Sequence, residues 1–227
     1  MNACALYSGG KDSNYALHLA YLKGFNIKCL ITLKPRRENS WMFHYPMIDY
    51  TDYQAKALGL PQIKVETSGI RDMELNELKH ALEMAKERYG VETVVTGALL
   101  SDYQRMNINM VSEELGLAVY SPLWRKNQED YIRDIVKHGI KALIIEIRAY
   151  GLPLKFLGRI IDEEVVKEVI SRSRKYGFNP AFEGGEAETF VIDAPLFKYA
   201  LKVQGRKVVI SEYEGKYIVD KVELVRK

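Results

Sequence analysis

The amino-acid sequence predicts an α/β protein: a parallel sheet covered by helices, followed by a smaller α+β domain. Two patterns carry this expectation. Over the first two thirds of the chain, short apolar runs alternate with segments of helical period, as strand–helix–strand crossovers require. After about Tyr150 one helix is followed by consecutive alternating strands with glycine turns, which does not continue that repeat. The division is drawn at residues 1–150 and 151–227.

The elements follow in order. Ala3–Tyr7 reads as a strand and Ser13–Lys23 as a helix closed by Gly24. Ile27–Leu33 is the second strand, and Lys34–Asp49, with Pro35, Pro46 and no period, a loop. Thr51–Leu58 is a short helix ending at Gly59, and Gln62–Glu66 a third strand. Asp72–Arg88 is the longest helix, with Met73, Leu75, Leu78, Ala81, Leu82 and Ala85 recurring near the helical period. Val91–Thr96 is a strand, Asp102–Leu115 a helix and Leu117–Tyr120 a strand; Asn127–His138 and Ala142–Ile147 add another helix–strand pair. Asp162–Lys175 is a helix with Asp162 available as N-cap and Gly177 beyond its end. Thr189–Ile192, Tyr199–Gln204, Lys207–Tyr213 and Lys216–Leu224 are the closing strands, with Gln204-Gly205 and Glu214-Gly215 placed as hairpin turns.

Composition excludes more than it identifies. Over 227 residues, 33 basic against 30 acidic side chains give a net charge of +3, too even for a protein whose affinity rests on dense phosphate neutralisation of nucleic acid. The two cysteines, Cys4 and Cys29, lie in apolar runs and form no CxxC or Cys/His cluster, which argues against a disulfide scaffold or zinc. No basic leader precedes the first strand and no apolar run reaches the ~18–20 residues that span a bilayer, so a cytoplasmic protein without membrane contact is expected.

The chemistry concentrates at Ser8-Gly9-Gly10-Lys11-Asp12-Ser13, between a strand and a helix. Two residues without Cβ let the backbone turn sharply and approach an anion. The amides that open the next helix favour negative charge. Ser8 and Ser13 can add hydroxyls and Lys11 a cation; Asp12 makes sense as a holder of Mg²⁺ or as an order-giving residue of the loop. A glycine turn with a solvated Lys-Asp pair is the plain alternative. The adjacent glycines fit neither GxxxxGK[ST] nor GxGxxG. The loop matches SGGxDS and so resembles the pyrophosphate loop (PP-loop) of the N-type ATP pyrophosphatases, whose adenine nucleotide alpha hydrolase-like fold the first domain is then expected to share. That resemblance implies ATP cleaved between its α and β phosphates, adenylation of an acceptor oxygen, and displacement of AMP by nitrogen or sulfur.

Ligands of open α/β sheets bind beyond the carboxyl ends of the strands, here at Ser8, Leu33, Thr96 and Tyr120. Gly97 could admit the α-phosphate or ribose, while Asp102 and Arg105 could face substrate or phosphate; an N-cap Asp102 with a solvated Arg105 weighs equally. His44 lies where an adenine would rest, or is a surface residue. Ser121-Pro122-Leu123-Trp124 reads better as a rigid turn burying Trp124. A second informative stretch, Glu183-Gly184-Gly185-Glu186-Ala187-Glu188-Thr189, concentrates acids and glycines before a strand. It suits recognition of a cation, or is a solvated acidic hairpin.

Together SGGKDS, TGALLSDYQR, SPLW and EGGEAETFVIDAPLF resemble the diphthine–ammonia ligase family over essentially the whole chain. The resemblance implies that ATP, Mg²⁺ and free ammonia amidate diphthine on translation elongation factor 2, giving diphthamide, AMP and pyrophosphate. The short form looks like the archaeal type. Carried onto this sequence, Ser8, Gly9, Gly10, Lys11, Asp12 and Ser13 bind the β and γ phosphates, with Asp12 the metal ligand. Gly97 and Asp102 line the nucleotide site, to which the strand-end reading adds Leu33 and His44. Asp102, Arg105, Glu183, Gly184, Gly185, Glu186 and Thr189 meet the acceptor, and Glu186 or Glu188 serves as base. The first domain is thus expected to bind nucleotide and the second to recognise substrate. Where the family carries a second Arg and a Glu after Arg105, this chain has Asn107-Ile108-Asn109. Diphthine's trimethylammonium suits acids with aromatic neighbours such as Phe182 and Phe190. Nothing marks a glutaminase. A homo-oligomer is left open. Rival readings are a PP-loop enzyme adenylating a tRNA base carbonyl, for which Cys4 and Cys29 fit a thiolation route poorly, and a non-catalytic nucleotide-binding protein.

Overall fold

A computed structural model describes residues 1–35 and 47–227. The chain divides into two units, Met1–Trp124 and Arg125–Lys227.

In the first unit, β1 (Asn2–Leu6) leads into α1 (Lys11–Leu22), then β2 (Asn26–Pro35), a 3-10 turn at Ile48–Tyr50, α2 (Thr51–Leu58), β3 (Gln62–Thr67), α3 (Arg71–Tyr89), β4 (Thr93–Val95), α4 (Asp102–Glu114) and β5 (Ala118–Tyr120). The sheet order is β3-β2-β1-β4-β5, and every pair is parallel. The chain therefore works outward from β1 on one side, then returns and works outward on the other. The switch point between β1 and β4 opens a crevice at the carboxyl edge, where such sheets take ligands.

The core explains the order of the elements. Cys4, Cys29, Ile31, Leu33 and Ile63 line one sheet face, and Leu78, Ala81, Leu82 and Ala85 of α3 with Ile108 and Val111 of α4 cover it. The helical period read in α3 is thus its buried stripe. Leu33, expected at the strand end as a nucleotide contact, is 4% exposed and packs within this core. β2 runs on to Pro35, so the edge lies two residues beyond where the apolar run stops.

The second unit contains α5 (Gln128–Lys137), β6 (Lys141–Ile147), a 3-10 turn at Leu154–Phe156, α6 (Glu163–Tyr176), β7 (Ala187–Asp193), β8 (Tyr199–Val209) and β9 (Gly215–Arg226). Its sheet, ordered β7-β6-β9-β8, is antiparallel. Two expectations change here. The helix and strand placed before residue 150 as a continuation of the first domain are α5 and β6, and β6 pairs with β7 and β9. The division falls after Trp124, because a helix–strand pair carries no local mark of the sheet it joins. Gln204-Gly205 is no hairpin: β8 continues through it with an irregular register. A Cβ on Gly205 would stand 2.2 Å from the Ile218 carbonyl oxygen, so this glycine serves close strand approach. The hairpin at Glu214-Gly215 is present, and Asp162 caps α6 by accepting from the Val165 amide at 2.8 Å.

Candidate functional site

The sequence Ser8–Ser13 forms the turn from β1 into α1 at the switch point. Gly9 has φ +84°, a left-handed conformation that L side chains rarely adopt. A Cβ there would also lie 2.5 Å from Gln54 Oε1 and 3.0 Å from Thr51 Cγ2. Gln54 Nε2 donates to the Gly9 carbonyl at 2.9 Å, so α2 clamps the turn from the side. Gln62 Nε2 donates to Thr51 Oγ1 at 2.9 Å and to Thr32 Oγ1 at 2.7 Å, and Thr32 Oγ1 donates to the Tyr7 carbonyl at 2.7 Å. These donors tie the turn to α2, β2 and β3, while the side-chain oxygens Gln54 Oε1 and Gln62 Oε1 are buried without a hydrogen-bond partner.

The hydroxyls expected to meet phosphate are committed to the loop. Gly10 N–H donates to Ser8 Oγ at 3.4 Å, Ser8 Oγ to Ser13 Oγ at 3.2 Å, and Ser13 Oγ to the Gly10 carbonyl at 3.1 Å. Legs this long are weak, so an arriving anion can recruit the hydroxyls at small cost. Asn14, fully buried, completes the brace: its Nδ2 donates to the Gly10 carbonyl at 3.0 Å and its Oδ1 accepts from the Tyr7 hydroxyl at 2.8 Å. Burial pushes the Tyr7 phenol above its ordinary range, with the Asn14 bond opposing, so Tyr7 stays a donor. Lys11 is 2% exposed, and its Nζ lies 3.0 Å from both Asp12 carboxylate oxygens. Local spacing gave no sign of Asn14, Gln54, Thr51 or Gln62 as members of this site.

Gly97 follows β4, on the other side of the switch point. A Cβ on it would fall 2.7 Å from the Asp12 carbonyl carbon, 2.8 Å from Ser13 N and 2.9 Å from Asp12 O. It thus seats the first turn of α1 as well as leaving space at the edge. Ser101, not Asp102, caps α4 by accepting from the Gln104 amide at 3.2 Å, and Asp102 is exposed. Arg105 is half-buried with its guanidinium 4.6 Å from the Trp124 ring centroid. Such a stack contributes about 0.5–2 kcal/mol. In the SPLW turn it is Leu123 that is fully buried, while Trp124 stays half-buried beneath Arg105. His44 lies outside the described residues.

In the second unit the acidic loop precedes β7. Glu186 Oε1 accepts from the Asn179 amide at 2.8 Å and Oε2 from the Gly184 amide at 2.7 Å. Both oxygens of the expected base therefore latch their own loop. A Cβ on Gly184 would meet Glu186 Oε1 at 2.7 Å, and Gly185 has φ +81°, so the paired glycines serve this curl of the chain. Glu183 and Glu188 are half-buried and Thr189 is buried. Phe182 and Phe190, at 5% and 0% exposure, present no ring face to a ligand, which overturns the cation–π role expected of them. Glu188 stands opposite Glu146 in the β6–β7 pair. Glu146, 1% exposed, has Oε1 at 2.6 Å from Arg148 Nη2 and 3.3 Å from Lys216 Nζ, while its Oε2 lacks a hydrogen-bond partner. One acid inside the apolar run Ala142–Ile147 was the only sequence trace of this cluster.

Cys4 and Cys29 are buried, and burial pushes Cys4 well above the ordinary thiol range and Cys29 up to about 12. Neither is poised as a thiolate. Among the described residues no group of three His, Cys, Asp or Glu could hold a metal, and no helix is long and apolar enough to cross a membrane.

Comparison with known proteins divides the chain at nearly the same place. Residues 1–119 match the family model described as the diphthamide synthase N-terminal domain, and residues 127–225 that of the diphthamide synthase C-terminal domain. A Homo sapiens protein named diphthine–ammonia ligase is 36% identical over 95% of this chain and 87% of its own length. Its Mus musculus namesake is 35% identical over the same shares. A solved structure titled as a predicted subunit of tRNA methyltransferase from Methanocaldococcus jannaschii is 18% identical with a TM-score of 0.46, covering 86% of this chain and 98% of that one.

Proposed function

The chain belongs to the diphthamide synthase family, and we propose that it uses ATP to amidate the diphthine carboxylate of elongation factor 2 with ammonia. The observation that carries this reading is the braced Ser8–Ser13 turn at the switch point, which presents helix-opening amides beside a buried lysine. Such amides lack intrahelical acceptors and favour an anion. The triphosphate tail binds there, with Lys11 drawn toward it.

The acceptor carboxylate oxygen attacks the α-phosphorus and pyrophosphate leaves with the bonding pair. Charge developing on pyrophosphate is met by groups already in place, which is the efficient way to lower such a barrier. Ammonia then attacks the acyl carbon, AMP departs, and the nitrogen gives up a proton to a base. Glu186 is occupied as a latch, so Glu188 takes the base role. The first unit binds the nucleotide and the second recognises the acceptor, with Arg105 on the first unit meeting an anionic group.

Mg²⁺ fits the residues present. It commonly takes one or two protein carboxylates plus phosphate oxygens, and Asp12 offers a carboxylate now held by Lys11 alongside the proposed phosphate site. A lysine drawn to phosphate frees that carboxylate for the metal, which would neutralise phosphate charge. The reaction belongs in the cytoplasm, where the elongation factor works.

Incubation with ATP, Mg²⁺, ammonium and diphthine-bearing elongation factor 2 tests the reading. AMP and pyrophosphate formed only with that acceptor support it. ADP as product, or turnover indifferent to the acceptor, rejects it. Against the thiolation rival stand two buried cysteines with raised pKa values.

A further inference from the structure

Arg105 is half-buried, and among the described residues no acidic side chain forms an ion pair with it, although Asp102 lies one turn earlier on the same helix. Among those residues its Nε also has no hydrogen-bond partner. An N–H buried without an acceptor is unfavourable, and the Nε of Arg105 is one, so the fold leaves this donor for something else. Trp124 supplies the support. Its ring lies 4.6 Å from the guanidinium carbon, and its turn is fixed by fully buried Leu123 and by the Trp124 amide donating to the Ser121 carbonyl at 3.2 Å. A guanidinium held over a ring face can keep its edges for other partners, and those edges carry the paired donors that recognise carboxylate or phosphate.

The position narrows the anion. α4 follows β4 and the Trp124 turn follows β5, so both lie on the β4–β5 side of the sheet, whereas Ser8–Ser13 closes β1. Pyrophosphate belongs at the latter. The geometry points to Trp124 as a positioning residue that holds the Arg105 guanidinium over its ring to receive the oxyanion at the point of adenylyl transfer. That oxyanion is the α-phosphate of the nucleotide or the acceptor carboxylate that takes it. The inference rests on the adenylation reading above and adds the group that orients the reacting oxygens.

The test uses the full chain labelled with 5-fluorotryptophan. Its two indole resonances are told apart by the loss of one in Trp124→Phe. AMP, pyrophosphate and diphthine-bearing elongation factor 2 are titrated separately into wild type and Arg105→Ala. The Trp124 resonance is expected to shift with AMP or with the acceptor, identifying which oxyanion is received, and to stay still in Arg105→Ala. A shift that survives Arg105→Ala, a shift with pyrophosphate alone, or no shift with any probe overturns the inference. Steady-state kinetics form the second arm. Trp124→Leu should raise KM for the acceptor or lower kcat by about tenfold, as should Arg105→Ala, with the double variant no worse than Arg105→Ala. Trp124→Phe, which keeps a ring under the guanidinium, should recover to within about threefold of wild type. Losses that multiply in the double variant would show Trp124 acting by packing alone. Failure of wild type to form AMP rejects the adenylation reading itself, and the resonance titrations still decide whether Arg105 receives an oxyanion.

Discussion

Replacing Gly97 by Ala is expected to damage nucleotide binding through one methyl group. The new Cβ would lie 2.7–2.9 Å from three backbone atoms of Asp12 and Ser13, up to about 0.7 Å short of ordinary contact. None of those atoms is the end of a flexible side chain, so either the first turn of α1 or the strand end must move. Overpacking of this kind costs roughly 1–3 kcal/mol. If the α1 turn yields, much of that cost reappears as lost ATP affinity, on the order of 10–100-fold at about 1.4 kcal/mol per decade. The same strain should lower Tm by roughly 3–10 °C in a unit of this size. Gly90→Ala is the control. Gly90 closes α3 at φ +60° with only Asn2 Nδ2 at 4.0 Å, and it precedes β4, at the sheet edge opposite the loop. It should lose about 1 kcal/mol of stability from the left-handed backbone alone and keep ATP affinity. Titration calorimetry with ATP and thermal melts of both variants decide the matter. Gly97→Ala binding ATP within twofold of wild type, or Gly90→Ala losing affinity equally, would show that seating of α1 by Gly97 does not control nucleotide binding.

Three further outcomes are expected. Lys11→Met should reduce AMP formation by about 100-fold or more while circular dichroism stays native, because it removes the cation and leaves the brace among Ser8, Ser13 and Asn14 intact; undiminished turnover would remove Lys11 from the chemistry. Glu186→Gln replaces an acceptor of a backbone N–H with a donor, so exchange of the Gly184 or Asn179 amide should rise at least about tenfold as a bond worth about 1.5–3 kcal/mol is lost. Unchanged exchange alongside lost amidation would restore Glu186 as the base. Asp162→Ala should lower stability near neutral pH by about 1 kcal/mol as α6 loses its cap. The bond from the Val165 amide, with Arg159 beside it, holds the Asp162 carboxyl below its ordinary range. Its contribution is therefore complete above the unfolded value of about 3.9 and lost as pH falls through the lower folded value. The stability gap to wild type should close on acidification below about pH 4, and a gap that persists there would assign the effect to packing.

What could be read from sequence was what is local. The Ser8–Ser13 turn was legible because strand, glycines and helix adjoin one another, and the turn is made where they meet. The clamp from Gln54 onto Gly9 crosses 45 positions and leaves no periodic trace. Gly97 was rightly placed at the edge, yet its close approach to Asp12 depends on β4 lying beside β1, which only topology supplies. Gly205 shows the converse failure. A glycine within an alternating run looks the same whether the chain reverses or a neighbouring strand presses close, and here Ile218 presses close. Leu33 was misplaced because Lys34-Pro35 looks like the start of a loop, although both residues still pair with β3. For β6 the apolar pattern fixed a strand but not its neighbours, and hydrogen bonding to β7 and β9 moved the division between units from residue 150 to Trp124.

A common division of labour explains which polar residues should carry chemistry. Ser8, Ser13, Asn14 and Glu186 all have the composition of ligand contacts, yet each directs hydrogen bonds into its own loop. Their work is done before any substrate arrives, since donors fixed in advance need no reorganisation as charge develops. The groups proposed to meet a ligand are backbone amides, the Lys11–Asp12 ion pair, Glu188 and Arg105. Substitutions in the two sets should consequently differ in kind. Loss of a bracing residue should speed amide exchange in its loop and slow turnover together, because one distortion causes both. Loss of Lys11 or Arg105 should slow turnover while exchange in the Ser8–Ser13 turn stays native. A bracing variant with native exchange but no activity would break that division, and would return its side chain to direct contact with the substrate.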